Sequence, residues 1–220
     1  MKTEELIQDL AAQLQPVKPL RHPLARFGRW AAVTAAWVAV GVAAIGVRAD
    51  LAAMAHAPAF LLYVALTVAL GAATTLAAFT ASVPGRTSRW WTFAPSAVIA
   101  SGLLLVVLGV LSAGDGYAGA GVKCVRNLLA LSVPPGLLLC LMLRRAAPLD
   151  GRAIGALAAV GVAALAHAGT RFVCRNDGAL HLLVWHCGFV LLLGGLGILA
   201  GARGVQMRSG PPTISESGGT

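Results

Sequence analysis

The sequence predicts an all-helical, polytopic integral membrane protein with six transmembrane helices and cytoplasmic N- and C-termini. Three observations lead to this fold class: an apolar composition, six long uncharged segments, and an uneven distribution of basic residues between the loops. Of the 220 residues, 58% are hydrophobic and only 11% are charged, and the mean hydropathy is +0.79. An average soluble domain carries about 25% charged residues. The composition therefore excludes an ordinary soluble fold.

Six apolar segments are long enough to cross a bilayer, since a transmembrane helix needs about 20 mostly apolar residues. None of them contains Asp, Glu, Lys or Arg, and one such charge at the bilayer centre costs about 2.5 kcal/mol or more. The predicted spans are 30–47, 58–81, 93–113, 127–143, 153–169 and 182–202. They divide the chain into a cytoplasmic segment (1–29), a six-helix bundle (30–202) and a disordered cytoplasmic tail (203–220).

Basic residues determine the predicted orientation, because cytoplasmic loops carry an excess of Lys and Arg. The net charge of +9 then reflects topology, and we expect no nucleic-acid binding. The outer side carries only Arg48, Lys123, Arg126, Arg171 and Arg175. The cytoplasmic side carries Lys2, Lys18, Arg21, Arg26, Arg29, Arg86, Arg89, Arg144, Arg145, Arg152, Arg203 and Arg208.

The N-terminal segment contains a short amphipathic helix followed by prolines. Thr3 is a candidate N-cap, and Glu4 and Glu5 occupy the first turn, where the helix dipole favours acidic residues. Such a short helix is not stable alone and needs a surface: lipid, the bundle or another protein. Its acidic charges argue against lipid, so a protein partner and the other surfaces remain equally open. The apolar stripe is Leu6, Ile7, Leu10 and Leu14, and the segment after it begins with Pro16 and Val17.

Two cysteines lie in predicted outer loops, Cys124 after the third span and Cys174 after the fifth. Basic residues flank both, and nearby positive charge favours the thiolate, which is the form that binds metal and is oxidised. Asp177 and His181 are further candidate metal ligands. The alternative is a disulfide between the two loops, because extracytoplasmic compartments are oxidising.

The remaining cysteines and histidines of the spans have plainer interpretations. Cys140 lies in the middle of a span and is expected to pack there as a small apolar residue. His167, His186 and Cys187 lie near outer helix ends. They are candidates for a metal site or for local hydrogen bonds. Gly151 with Gly155, and Gly197 with Gly201, are small residues four apart that favour close helix packing.

The chain resembles the NrsF-type membrane anti-sigma factors, six-span negative regulators of an extracytoplasmic-function sigma factor. The resemblance extends along nearly the whole chain and rests on the order of several short motifs. The motifs are Leu10-x-x-x-Leu14-x-Pro16-Val17, Gly121-x-x-Cys124, and Phe172-x-Cys174-x-x-Asp177 followed by His181 and Trp185-His186.

The resemblance implies a multi-pass protein of the bacterial inner membrane that is not an enzyme and needs no cofactor. Its cytoplasmic N-terminus would bind the sigma factor. Cys124 and Cys174 would match paired cysteines that sense a heavy-metal ion or an oxidant such as an oxyanion. Besides the sigma factor, membrane lipid is the expected partner.

Two other function classes are weaker on these residues. A membrane thiol-disulfide oxidoreductase also places cysteines in outer loops, but it usually employs a closely spaced pair such as Cys-x-x-Cys. A small transporter marks its pathway with ionisable residues inside the spans, and here only His167 and His186 qualify.

Overall fold

The computed structural model describes residues 3–12, 19–83, 121–146 and 150–206, and within these ranges the chain is helical with no strand. The predicted all-α fold class is therefore confirmed. The elements are α1 Thr3–Ala12, α2 Pro23–Ile45, α3 Leu51–Met54, α4 Pro58–Ala81, α5 Val122–Arg144, α6 Gly151–Arg171, α7 Ala179–His181, a π-helical segment Leu182–Cys187, and α8 Gly188–Gln206.

Five helices in the described ranges are long and apolar enough to cross a membrane. They are α2, α4, α5, α6 and the continuous helix Ala179–Arg203, and they match five of the six predicted spans. The predicted span 93–113 lies outside the described residues. The total of six spans therefore stays a prediction.

The helices extend beyond the uncharged segments that predicted them. Helix α2 begins at Pro23 rather than residue 30, since proline at the first helical position loses no hydrogen bond and has a suitable φ. Helix α5 begins at Val122, so Cys124 lies in its first turn and not in a loop as expected. The absence of charged residues identifies only the part of a helix that lies in the hydrocarbon layer. The helix itself continues into the polar interface, where Lys123 and Arg126 are exposed.

Helix α6 is the centre of the bundle and packs against α4, α5 and α8. Small residues allow the closest approach, because a Cβ on Gly155 would overlap the backbone of Gly197 on α8. Likewise, a Cβ on Gly201 would overlap the backbone of Gly151. These contacts confirm the predicted small-residue packing.

Tryptophan side chains bind α2 to the proline-containing helix α5. Pro134 has no N–H, so the carbonyl of Ala130 loses its usual partner within the helix. The indole Nε1 of Trp37 donates to this carbonyl at 3.1 Å. The buried Trp30 donates its Nε1 to the carbonyl of Pro135 at 2.9 Å. Helix α2 is thus fixed to α5 at two levels.

Side-chain contacts divide the loops between two ends of the bundle. At one end, Arg26 donates to the carbonyl of Met142 at 2.5 Å and to Ser82 Oγ at 3.4 Å. At the other end, Arg48 donates to the carbonyl of Cys174 at 3.0 Å. The start of α2 and the ends of α4 and α5 therefore lie at one end of the bundle, and the loops after α2 and α6 lie at the other. Helices α2 and α4, and likewise α5 and α6, thus cross the bundle in opposite directions, as predicted.

A buried thiol–imidazole cluster

Cys124 and Cys174, separated by 50 positions in the chain, meet at one end of the bundle. Their Sγ atoms are 3.4 Å apart. The Nε2 atom of His181 lies 3.5 Å from Cys124 Sγ and 3.6 Å from Cys174 Sγ. All three side chains are buried. The structure therefore brings together three of the four outer residues that the sequence selected as sensor or metal ligands.

The two cysteines are separate thiols in this structure. Their sulfur atoms are farther apart than the 2.03–2.05 Å of a disulfide bond. Both uses that the sequence left open, joint metal binding and disulfide formation, require such proximity. The fold supplies this proximity because the start of α5 lies beside the loop that follows α6.

A fourth side chain, His186, completes the cluster. One ring nitrogen of His186, one of His181 and the two Sγ atoms all lie within 4.8 Å of one another. On an α-helix, residues five apart are rotated by about 140° and cannot share a face. Residues 182–187 form a π-helix instead, with the N–H of Gly188 donating to the carbonyl of Leu183. The i→i+5 repeat of a π-helix turns His181 and His186 toward the same side.

The imidazole of His186 is fully buried, at 0% exposure. Neither of its ring nitrogens has a hydrogen-bond partner among the described residues. Burying an unsatisfied polar group costs about 1–3 kcal/mol. The rings of His181 and His167 lie beside it, with centroids 5.5 and 4.8 Å away. His186 therefore sits in a position that a ligand for its nitrogen would stabilise.

Asp177, the remaining candidate ligand, has another role. Its carboxylate accepts hydrogen bonds from Arg48 at 2.6 and 3.0 Å, and it also pairs with Arg171. Partial burial alone would raise the pKa of Asp177, but the two guanidinium groups outweigh burial and lower it. Arg48 also pairs with Asp50, and this bond lowers the pKa of Asp50 to about 2. Asp177 thus neutralises arginines beside the cluster.

Packing around the cluster explains another motif that the sequence singled out. Gly121 precedes α5, and a Cβ at this position would overlap the indole ring of Trp185. Only glycine lets the start of α5 approach Trp185, the neighbour of His186. The motif Gly121-x-x-Cys124 is therefore a packing requirement that places the Cys124 thiol beside the π-helical segment.

The other residues that the sequence analysis selected are not members of this cluster of four. His167 is buried and hydrogen-bonds with the Tyr63 hydroxyl of α4 at 3.1 Å. A hydrogen bond was one of the two expected roles, but it joins two helices and is not local in the sequence. Cys140 is exposed on the bundle surface, so the expectation that it packs inside was wrong. Cys187 is half-buried. The sequence analysis did not single out Arg48, which holds the loop of Cys174 and Asp177. Its position directly after a predicted span is the only feature of the sequence that could have indicated this role.

The expected partner-binding residues are described only in part. Helix α1 forms as predicted, and its Leu6 and Ile7 side chains are 41% and 60% exposed. Leu10 lies within α1. Leu14, Pro16 and Val17 lie outside the described residues.

The fold and the cluster define a class: a polytopic helical membrane protein with a buried thiol–imidazole site at one end and no folded extramembrane domain in the described ranges. The family described as negative regulator of sigma F matches residues 10–206, and the chain belongs to that family. Its membership makes it a membrane anti-sigma factor. No curated protein and no solved structure matches the chain.

Proposed function

We propose that this protein sequesters an extracytoplasmic-function sigma factor through its cytoplasmic N-terminus. It releases the sigma factor when Cys124 and Cys174 react with a heavy-metal ion or an oxidant outside the inner membrane. The observation that carries the proposal is the thiol pair, 3.4 Å apart and buried together. One ion or one oxidation event can therefore engage both cysteines.

The N-terminal helix has the character of a segment that folds onto a partner. Leu6 and Ile7 expose large apolar side chains on a helix of 10 residues, too short to be stable alone in water. An apolar stripe of this kind gains stability by docking into a groove on another protein. The stripe continues with Leu10 and Leu14, and the segment formed by Pro16 and Val17 extends the proposed binding site for the sigma factor.

Arg48 supplies a route from the thiols to the sigma-binding segment. It lies just beyond α2, the helix that leads back to the N-terminus, and its backbone N–H donates to the carbonyl of Phe172 at 2.9 Å. Its guanidinium group donates to the carbonyl of Cys174 and to Asp177. A shift of the loop carrying Cys174 would therefore move the outer end of α2. Such a shift between two packed arrangements is how small local changes act at a distance.

The sigma-binding role of α1 is tested with Ile7→Asp and the matched control Gln8→Asp, which adds the same charge outside the apolar stripe, about 100° around the helix from Ile7. Loss of a buried apolar contact of about 1.5–3 kcal/mol should weaken sigma binding at least about tenfold. Co-purification with the tagged membrane protein and a sigma-dependent reporter measure the result. We expect Ile7→Asp to release the sigma factor and Gln8→Asp to retain it. If both variants retained the sigma factor equally at normal protein levels, α1 would not be its binding site.

The sensor is tested in the same strains with Cys124→Ser and Cys174→Ser, with the exposed Cys140→Ser as control. Cadmium and dichromate are added separately, and protein levels are measured by immunoblot. The outer variants should keep normal levels and lose the reporter response, while Cys140→Ser should respond as the wild type does. Lower levels of both outer variants would indicate a structural disulfide instead.

A further inference from the structure

We propose that Cys124, Cys174, His181 and His186 form one four-coordinate site for a thiophilic divalent cation, Zn²⁺ or Cd²⁺. The two histidines then supply half of the ligands. This inference rests on the proposed sensing function, because it specifies how the same thiols recognise a metal ion. The ion itself would bind without a sigma factor being present.

The distances between ligand atoms suit a tetrahedral ion. With Zn–S bonds of about 2.3 Å and Zn–N bonds of about 2.0–2.1 Å, tetrahedral ligands lie about 3.8 Å apart for S···S and about 3.6 Å for S···N. The observed Sγ···Sγ distance is 3.4 Å, and the two Sγ···Nε2 distances to His181 are 3.5 and 3.6 Å. Three ligands therefore already stand at the corners of such a tetrahedron.

His186 is the fourth ligand. Its ring belongs to the group whose ligand atoms lie within 4.8 Å of one another. It is fully buried and has no hydrogen-bond partner in the described part of the chain. A metal ion would satisfy one of its nitrogens. The π-helical segment that turns His186 toward His181 is an uncommon conformation, and such segments occur often at functional sites.

The charges around the site fit a divalent cation bound to two thiolates. When the ion binds, each thiol releases one proton, and two thiolates with two neutral imidazoles leave a site of zero net charge. The neighbouring Arg48 and Arg171 are already neutralised by Asp177 and Asp50. Soft sulfur ligands select Zn²⁺ and Cd²⁺ over Mg²⁺ and Ca²⁺, which prefer oxygen ligands.

The test uses the purified full-length protein in detergent, stripped of metal with a chelator and then titrated with Zn²⁺ or Cd²⁺. We expect one ion per chain, metal–thiolate absorbance, and two sulfur and two nitrogen neighbours by X-ray absorption spectroscopy. His186→Gln should keep the thiolate absorbance and weaken binding at least about tenfold, since even loss of an outer-shell partner costs about 10–100-fold. The control His167→Gln, a buried neighbour outside the four, should bind as the wild type does.

A second variant keeps the test decisive if His186→Gln does not fold. His186→Cys should bind the ion with a third metal–sulfur bond, visible as increased thiolate absorbance. Binding by His186→Gln as tight as wild type, or an unchanged sulfur count in metal-loaded His186→Cys, would overturn the four-ligand site. A site that binds metal in vitro while cadmium leaves the sigma-dependent reporter silent supports this inference and refutes the proposed function. If instead the purified protein binds no metal while cadmium activates the reporter, the proposed function is supported and the four-ligand site is refuted.

Discussion

The sequence predicts Asp177 as a metal ligand, whereas in the structure it is the counter-ion of Arg48 and Arg171. Its place between Cys174 and His181 suggests a metal ligand, but its carboxylate accepts hydrogen bonds from the buried Arg48 and Arg171. Two buried guanidinium groups need a counter-charge, and a carboxylate supplies both the charge and strong acceptors. The ring nitrogens of His186 have no hydrogen-bond partner within the described residues. His186 therefore takes the position in the cluster that Asp177 was expected to fill.

Replacing Asp177 by Asn should lower the free energy of unfolding at pH 7 by about 1–3 kcal/mol. This loss is less than the 3–5 kcal/mol of a fully buried pair, because the Asp177 side chain is 41% exposed and solvent screens it. Thermal unfolding of the purified protein in detergent measures the difference. The number of cadmium ions bound per chain should stay unchanged, and a lost equivalent would restore Asp177 as a ligand.

The effect of Asp177→Asn should also depend on pH. The pKa of Asp177 is lower in the folded protein than in the unfolded chain, so its contribution is fully present above the unfolded pKa of about 3.9 and is lost as the pH falls through the folded pKa. The gap in melting temperature between wild type and variant should be constant from neutral pH to about pH 5 and narrow below about pH 4. A gap unchanged at pH 3 would contradict the ionic role.

At the scale of helices, the packing of α6 on α8 depends on the absence of side chains. The backbones of Gly155 and Gly197 approach so closely that neither position has room for a Cβ. In lipid, where hydrophobic burial does not drive helix association, close van der Waals packing of this kind is a main source of stability. The glycine pairs were visible in the sequence, but the partner helix of each pair was not.

Gly155→Ala should therefore destabilise the bundle by about 1–3 kcal/mol, the usual cost of overpacking. Gly195→Ala is the matched control, because a Cβ at Gly195 on α8 meets nothing within 4 Å. The control should be neutral or slightly stabilising, since alanine favours a helix over glycine. Both are compared by thermal unfolding in the same detergent. Equal stability of the two variants would show that α6 and α8 are not packed as described.

At the scale of the whole molecule, the bundle places the cluster and the start of α2 at opposite ends. Arg26, near the start of α2, contacts Met142 and Ser82, whereas Arg48 beyond its end contacts the loop of Cys174. With cytoplasmic termini, as the basic residues predict, the thiols would lie at the outer end of the bundle and the N-terminal segment would lie in the cytoplasm. The geometry thus separates a proposed stimulus from a proposed response by the thickness of the membrane.

Reporter fusions should establish this orientation. Alkaline phosphatase, which is active only outside the cytoplasm, should be inactive when fused after Arg208 and active when fused at Ala118. A fluorescent protein that matures only in the cytoplasm should give the opposite pattern. A phosphatase that is active at Arg208 and silent at Ala118 would show that the topology is the inverse of the predicted one, with the cysteines at the cytoplasmic end of the bundle.

The sequence alone was enough to predict the helical membrane class and five spans that the structure contains. It also selected Cys124, Cys174 and His181, which the structure brings together, and the glycines at which α6 and α8 pack. It could do so because the bilayer imposes a length and a polarity on each segment, and these are local properties of the chain. Three features became visible only in the folded structure: Cys124 and Cys174 meet, a π-helical segment turns His186 toward His181, and Asp177 pairs with Arg48 and Arg171. These outcomes depend on contacts between residues far apart in the chain and on one local departure from α-helical geometry, and apolar periodicity records neither.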